Sequence, residues 1–75
     1  MRYRHVWKTE VQRCVDRIGR PEFSLADVYR YKDELQAIFP LSRNVESRIR
    51  ENLQLLRDDG YLQFIDNQGT YRRLR

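Results

Sequence analysis

Between Arg43 and Gly60 the chain reads RNVESRIRENLQLLRDDG, and its polar residues fall together when wound as a helix. At helical spacing Asn44, Ser47, Glu51 and Gln54 share one face, flanked by Arg43, Arg48 and Arg50. These side chains have a shared chemistry. A guanidinium donates two parallel bonds to guanine O6 and N7, Asn or Gln pairs with adenine N6 and N7, and a carboxylate accepts from cytosine N4. Arginine also neutralises phosphate. Most of the set lies in the first half of the segment, while Asp58 and Asp59 are held to its far end. That distribution suits a helix entering a major groove by its N-terminal end.

Each residue also has a plainer reading. Arg48 and Arg50 are base readers or surface cations, and Glu46 with Arg50 makes a favourable i, i+4 ion pair. Asn44 is the expected helix cap, which competes with adenine pairing. Gln54 suits adenine. Glu51 repels phosphate, so it either reads a cytosine or is solvated. Ser47 is small enough to let the backbone approach a phosphate.

The scaffold for this face is written around it. Val45, Ile49, Leu53 and Leu56 form an apolar stripe on the opposite side, and Gly60 suits the residue just past the helix end. Upstream, a first helix is expected from Thr9 or Glu10 to Ile18. Trp7, Val11, Cys14, Val15 and Ile18 share its inner face, with Cys14 a core hydrophobe and Arg13, Arg17 and Arg20 outside. Phe23 reads as a core anchor in a short extended connector, open to pairing with a later strand. Ser24 and Asp27 have capping-box spacing and start a second helix, Leu25 to about Tyr31. Either a further short helix follows, Glu34 to Phe39, or one helix runs from 25 to 39, stopped by Pro40. After Gly60 the period becomes two: Tyr61–Ile65 and Thr70–Leu74 read as strands around an Asp66–Gly69 turn, with Leu62, Phe64 and Tyr71 facing the core. That turn holds an acid and no base, while Arg72, Arg73 and Arg75 come later. Among the tyrosines, Tyr31 and Tyr61 are expected to be the most exposed. Leu55 lies off the main stripe, near the polar face, as a packing or contact residue.

The order is that of a winged helix-turn-helix, mainly α with a small β-hairpin. Residues 1–8 read as a basic arm or linker, with Trp7 favoured for the core, and residues 9–75 as the domain. At 75 residues there is room for one small core. The single cysteine excludes an internal disulfide, and no Cys/His set suits a structural metal. No apolar run approaches a membrane span, and the first residues lack a signal peptide's apolar core. A cytoplasmic location, associated with the bacterial nucleoid, is the expectation. Net charge is +4, with the surplus at the two ends of the chain. Such an excess suits a polyanionic partner or merely a solvated surface.

The segment from Phe23 to Leu74 resembles the C-terminal winged-helix domain of Dpn-type, methyl-directed restriction endonucleases, the Dam-replacing family. The matching pieces are FSLADVY at 23–29, Leu35 with Phe39-Pro40, Arg43-Asn44-Val45, IRENLQLLRDDG at 49–60, Leu62-Gln63-Phe64, and Gly69-Thr70-Tyr71-Arg72. The resemblance implies double-stranded DNA binding beside a nuclease domain or subunit, with adenine methylation sensed in some members. It puts Asn44, Ser47, Arg48, Arg50, Glu51 and Gln54 in reading positions. With Arg43, Arg72 and Arg73 added as groove and backbone cations, these are the candidate DNA-binding residues. The chain departs from the family's enzymes in lacking a nuclease. A PD-(D/E)xK site needs clustered carboxylates and a lysine on a sheet, and an HNH site needs several histidines. Here there are Lys8, Lys32 and His5 alone. No catalytic residue and no cofactor are expected, and an accessory domain of a nuclease is the reading. The alternative from another class is a winged helix used for protein interaction or dimerisation.

Overall fold

A computed structural model describes residues 5–66 and 68–75. Their element order is α1 (Trp7–Ile18), β1 (Glu22–Ser24), α2 (Leu25–Tyr29), α3 (Lys32–Ile38), α4 (Val45–Asp58), β2 (Leu62–Phe64) and β3 (Thr70–Arg73). This is the expected winged helix-turn-helix, and the connector before α2 adds a third strand. The antiparallel sheet has the order β1-β3-β2. Phe23 and Phe64 both lie opposite Tyr71, so one β3 residue joins the two outer strands on the core side.

α4 is built by the signals its sequence carries. The Asn44 side chain accepts from the Ser47 amide at 3.0 Å, satisfying one of the free donors of the first turn. Val45, Ile49, Leu53 and Leu56 are all buried, and Gly60 follows the helix at φ 78°, a left-handed value that side chains disfavour. Burying each Leu or Ile side chain contributes roughly 1.5–3 kcal/mol, which fixes the rotation of the helix and leaves the polar face outward. α1 packs most extensively against this stripe, through Val11, Cys14 and Val15. Burial pushes the Cys14 thiol up to about 11, so it serves as a small apolar group.

Three helix boundaries differ from the sequence expectation by two residues, and the other differences are of one residue. α1 begins at Trp7, ahead of Thr9, because the Trp7 ring stacks on Phe39 with centroids 4.1 Å apart and the Glu10 amide bonds the Val6 carbonyl at 2.9 Å. Trp7 and Lys8 are thus the first residues of α1, and Lys8 meets Asp59 at 2.5 Å. What the arm does at residues 1–4 lies outside the described residues. α2 stops at Tyr29 and α3 starts at Lys32, so the single helix from 25 to 39 does not form. The Tyr31 amide bonds the Val28 carbonyl at 3.0 Å and the Leu35 amide then bonds the Tyr31 carbonyl at 2.9 Å. This tight turn redirects the chain so that Val28 and Leu35 both reach the core. The capping box at the start of α2 is complete, with Ser24 Oγ accepting from the Asp27 amide and Asp27 accepting from the Ser24 amide.

Tyr31 and Tyr61 are half-buried rather than exposed. Tyr31 lies under the Arg17 guanidinium, and the Tyr61 hydroxyl donates to Asp16. Two buried polar residues escape any stripe argument. Glu10 meets His5 at 3.1 Å and Arg13 at 3.8 Å, and the Asn52 amide donates to the Arg48 carbonyl at 2.7 Å. Among the described residues no helix is long and apolar enough to cross a membrane, and no group of His, Cys, Asp and Glu could hold a metal ion.

Candidate nucleic-acid interface

The turn from α3 into α4 and the first two turns of α4 enclose a shallow concavity of about 340 Å³, lined by Leu41, Ser42, Arg43, Asn44, Ser47, Arg48 and Glu51. Five of the nominated residues thus come together on one surface. Arg50 and Gln54 lie on the same exposed side of α4, and the Gln54 side chain meets no hydrogen-bond partner among the described residues. Arg72 and Arg73 are on β3, away from this group in the chain and differently employed.

The cations of the set are not equivalent. Arg48 meets Glu51 at 3.3 Å, an exposed pair worth little in water and readily re-partnered. Arg72 meets Glu22 at 2.9 Å, its register partner across the β1–β3 pair. Arg73, 28% exposed, meets Asp16 of α1 at 3.6 Å. Arg43 and Arg50 meet no carboxylate among the described residues. The expected Glu46–Arg50 pair does not form. Glu46 meets Lys32 of α3 at 3.5 Å instead, and Arg50 turns toward α2, donating to the Tyr29 hydroxyl at 2.8 Å and to Ser47 Oγ at 3.2 Å. Its full charge is therefore held by neutral oxygens. Capping and this contact also engage Ser47, whose amide is taken by Asn44 and whose hydroxyl is taken by Arg50. A phosphate therefore meets no free Ser47 amide there, while the Ser47 hydroxyl, which accepts from Arg50, keeps its own proton to donate. Donors left over at the α4 entry include the Asn44 side-chain amide, the Ser47 hydroxyl proton and the arginines.

The wing turn explains its own acid. Asp66 accepts from the Gln68 and Thr70 amides at 2.9 and 3.2 Å, which holds its carboxyl below the usual carboxylate range. The carboxylate shapes the turn and is directed at its backbone. Gly69 follows at φ 87°, and its carbonyl accepts from the Leu25 amide at 2.8 Å. A Cβ at Gly69 would lie 3.3 Å from that of Leu25, so the turn packs on the start of α2 through a glycine.

Two features beside the site carry no signal in sequence pattern. Leu41 is 94% exposed at the mouth of the concavity and also lines a more apolar groove with Trp7, Ile38, Phe39 and Pro40. Tyr29 reads as an inward-facing apolar position, yet its hydroxyl meets a residue 21 positions away. Spacing rules reach one or two helical turns, and neither placement is that local.

Comparison with known families adds one finding to this geometry. A family model for Dam-replacing HTH domains matches residues 3–73 of the 75-residue chain. The match takes in every helix and strand and all nine nominated residues. A domain of that kind binds and does not itself catalyse, in keeping with a surface built of arginines, amides and a cap. The chain belongs to the family of Dam-replacing HTH domains and is a DNA-binding winged-helix module.

Proposed function

We propose that this domain reads duplex DNA with the N-terminal half of α4 in the major groove, as the sequence- or methylation-reading module of a nuclease domain or subunit. The observation that carries the reading is the pair of uncompensated guanidiniums, Arg43 and Arg50, beside an exposed row of base-reading side-chain types. Arg43 lies at the helix entry and serves as a backbone cation. Arg48 exchanges Glu51 for guanine O6 and N7, while Glu51 accepts from a neighbouring cytosine. Gln54, about one turn beyond Glu51, takes adenine. Arg72 and Arg73 hold the wing through Glu22 and Asp16. Such a module acts where its DNA is, at the nucleoid of a bacterial cell.

Fluorescence anisotropy tests this with three short duplexes at two salt concentrations: adenine-methylated GATC, the same sequence unmethylated, and an unrelated sequence. Affinity is expected to fall with salt by about 0.9 log unit per log salt for each phosphate neutralised. Arg48→Ala is expected to cost roughly 1–3 kcal/mol on the preferred sequence alone. Tighter binding to the methylated duplex selects a modification reader. Equal binding to all three leaves a backbone anchor, and no binding at low salt rejects the DNA reading.

A second reading rests on Leu41 and Leu55, both exposed near the polar face. It makes the same surface a protein-interaction or dimerisation face. Concentration-dependent sedimentation without DNA binding would select it.

A further inference from the structure

Arg50 occupies a different place on α4 from the rest of the reading row. Ser47 and Gln54 sit at the centre of the exposed face, whereas Arg50 lies on the flank turned toward α2. Its Nη1 donates to the Tyr29 hydroxyl at 2.8 Å and its Nη2 to Ser47 Oγ at 3.2 Å. A guanidinium carries five N–H groups, so three remain to be donated. The Tyr29 hydroxyl uses an oxygen lone pair to accept from Arg50, and its own proton reaches no acceptor among the described residues. Tyr29 is half-buried at the end of a short helix anchored by the Ser24–Asp27 box, so the phenol is held in place.

Two donors are thus fixed side by side at the seam between two helices. One is a full positive charge with no carboxylate near it, the other a neutral O–H. A base edge at the groove floor asks for a fork aimed along the centre of the exposed face, and the two Nη contacts turn this guanidinium toward the α2 flank instead. A phosphate oxygen asks only for charge and one or two converging donors. With α4 in a major groove, its flank faces the rim, where the phosphates run.

We propose that Tyr29 and Arg50 form a two-donor clamp for one backbone phosphate at the groove rim, Tyr29 donating its hydroxyl proton directly and orienting the guanidinium. This rests on the duplex-binding reading above, and it assigns Arg50 to holding register rather than reading a base. The clamp reads no sequence. It fixes where along the groove Arg48, Glu51 and Gln54 meet their bases.

Tyr29→Phe keeps the ring and removes one oxygen. It is expected to weaken binding by about three- to tenfold on all three duplexes alike, with the salt slope of the native domain retained because no charge is lost. Arg50→Ala is expected to lower the slope by about 0.9. In the Arg50→Ala background, Tyr29→Phe is expected to cost less than it does alone, since half its role is to aim the guanidinium. Arg50→Lys keeps the charge and loses the fork, so it is expected to bind more weakly at an unchanged slope. Native-like affinity of Tyr29→Phe or of Arg50→Lys overturns the clamp, as does a Tyr29→Phe loss confined to one sequence. Failure of the native domain to bind any duplex sinks the duplex reading and the clamp with it. Native binding with an unaffected Tyr29→Phe sinks the clamp alone.

Discussion

On the α1 side of the domain, Arg17 meets Glu34 at 2.6 Å, Arg20 meets Asp27 at 2.8 Å and Arg73 meets Asp16 at 3.6 Å. On the α4 side, Arg43 and Arg50 meet no carboxylate among the described residues, and Arg48 has one exposed partner from its own helix. Counting bases along the chain gives the opposite impression. Residues 1–20 hold the largest basic surplus, six bases against two acids, while residues 41–60 are balanced. Among the described residues pairing in space reverses that order, since Lys8, Arg13, Arg17 and Arg20 all meet carboxylates. Charges that staple elements together are already neutralised locally, and a partner polyanion gains little from meeting them. Charges left with water or neutral oxygens are available. Segment charge is thus a weak guide to an interface, and charge after pairing is a better one.

The sharpest way to break this contrast is to remove the seat on which the α4 face stands. Ile49 is fully buried beneath Arg48 and Arg50. Ile49→Ala is expected to cost roughly 2–5 kcal/mol in urea unfolding, from lost transfer energy and the cavity left behind. A domain of this size has little stability in reserve. DNA affinity should fall with the folded fraction on every duplex. An Ile49→Ala domain that stays as stable as native would mean that the stripe does not hold the helix.

The next test sets the two kinds of arginine against each other. Arg73→Ala removes a partly exposed ion pair, so its stability cost is expected to stay within about 1 kcal/mol and the salt slope of DNA binding should be unchanged. Arg50→Ala should do the reverse, leaving unfolding near native and lowering the slope by about 0.9. Equal slopes for the two variants would abolish the distinction between stapled and available charge.

How far this organisation was legible follows from the range of each signal. The α4 stripe, its Asn44 cap, the Ser24–Asp27 box and the position after the helix at Gly60 are local, within four residues or so, and sequence spacing reports them directly. The pairing of Phe23 with Tyr71 was open because a three-residue strand carries almost no period. The early start at Trp7 and the α2–α3 break depend on packing against Phe39 and on where Val28 and Leu35 must go, which no local rule encodes. Within the interface, residue types and their face were legible, and their partners were not. Glu46 lay one turn from Arg50 and still chose Lys32, because α3 brings that amine alongside and Tyr29 draws the guanidinium away. Intrahelical ion pairs are worth only about 0.2–0.5 kcal/mol, so any tertiary partner displaces them.

Asn44 tests the boundary between structure and reading in a single residue. Its carbonyl oxygen caps α4, so Asn44→Ala is expected to cost about 1 kcal/mol of stability. Asn44→Asp preserves the acceptor and should keep most of that stability, while adding a negative charge at the helix entry that should weaken binding to every duplex. A stable Asn44→Asp domain with undiminished affinity would take this end of α4 out of the interface.

The smallest expected effect lies on the stapled side and concerns pH. Asp27 accepts from the Ser24 amide, the largest cause, and from Arg20, and these hold its carboxyl below the usual carboxylate range. The folded value lies below the unfolded one, so the carboxylate contributes stability that is fully present above the unfolded value, near pH 4. That contribution fades as pH falls through the folded value. Native stability should therefore decline on the acid side of pH 4, with Asp66 acting in the same direction through its own turn. Asp27→Asn keeps an acceptor oxygen but loses the charge facing Arg20. It should be slightly less stable than native at neutral pH and should lose less than native between pH 7 and pH 3. Because Asp27 belongs to the stapled side, duplex affinity at neutral pH should not change. An acid decline as steep in Asp27→Asn as in the native domain would remove the capping box as its source. A loss of duplex affinity at neutral pH would show that the two sides are coupled through α2, whose first turn holds Asp27 and whose last residue is Tyr29.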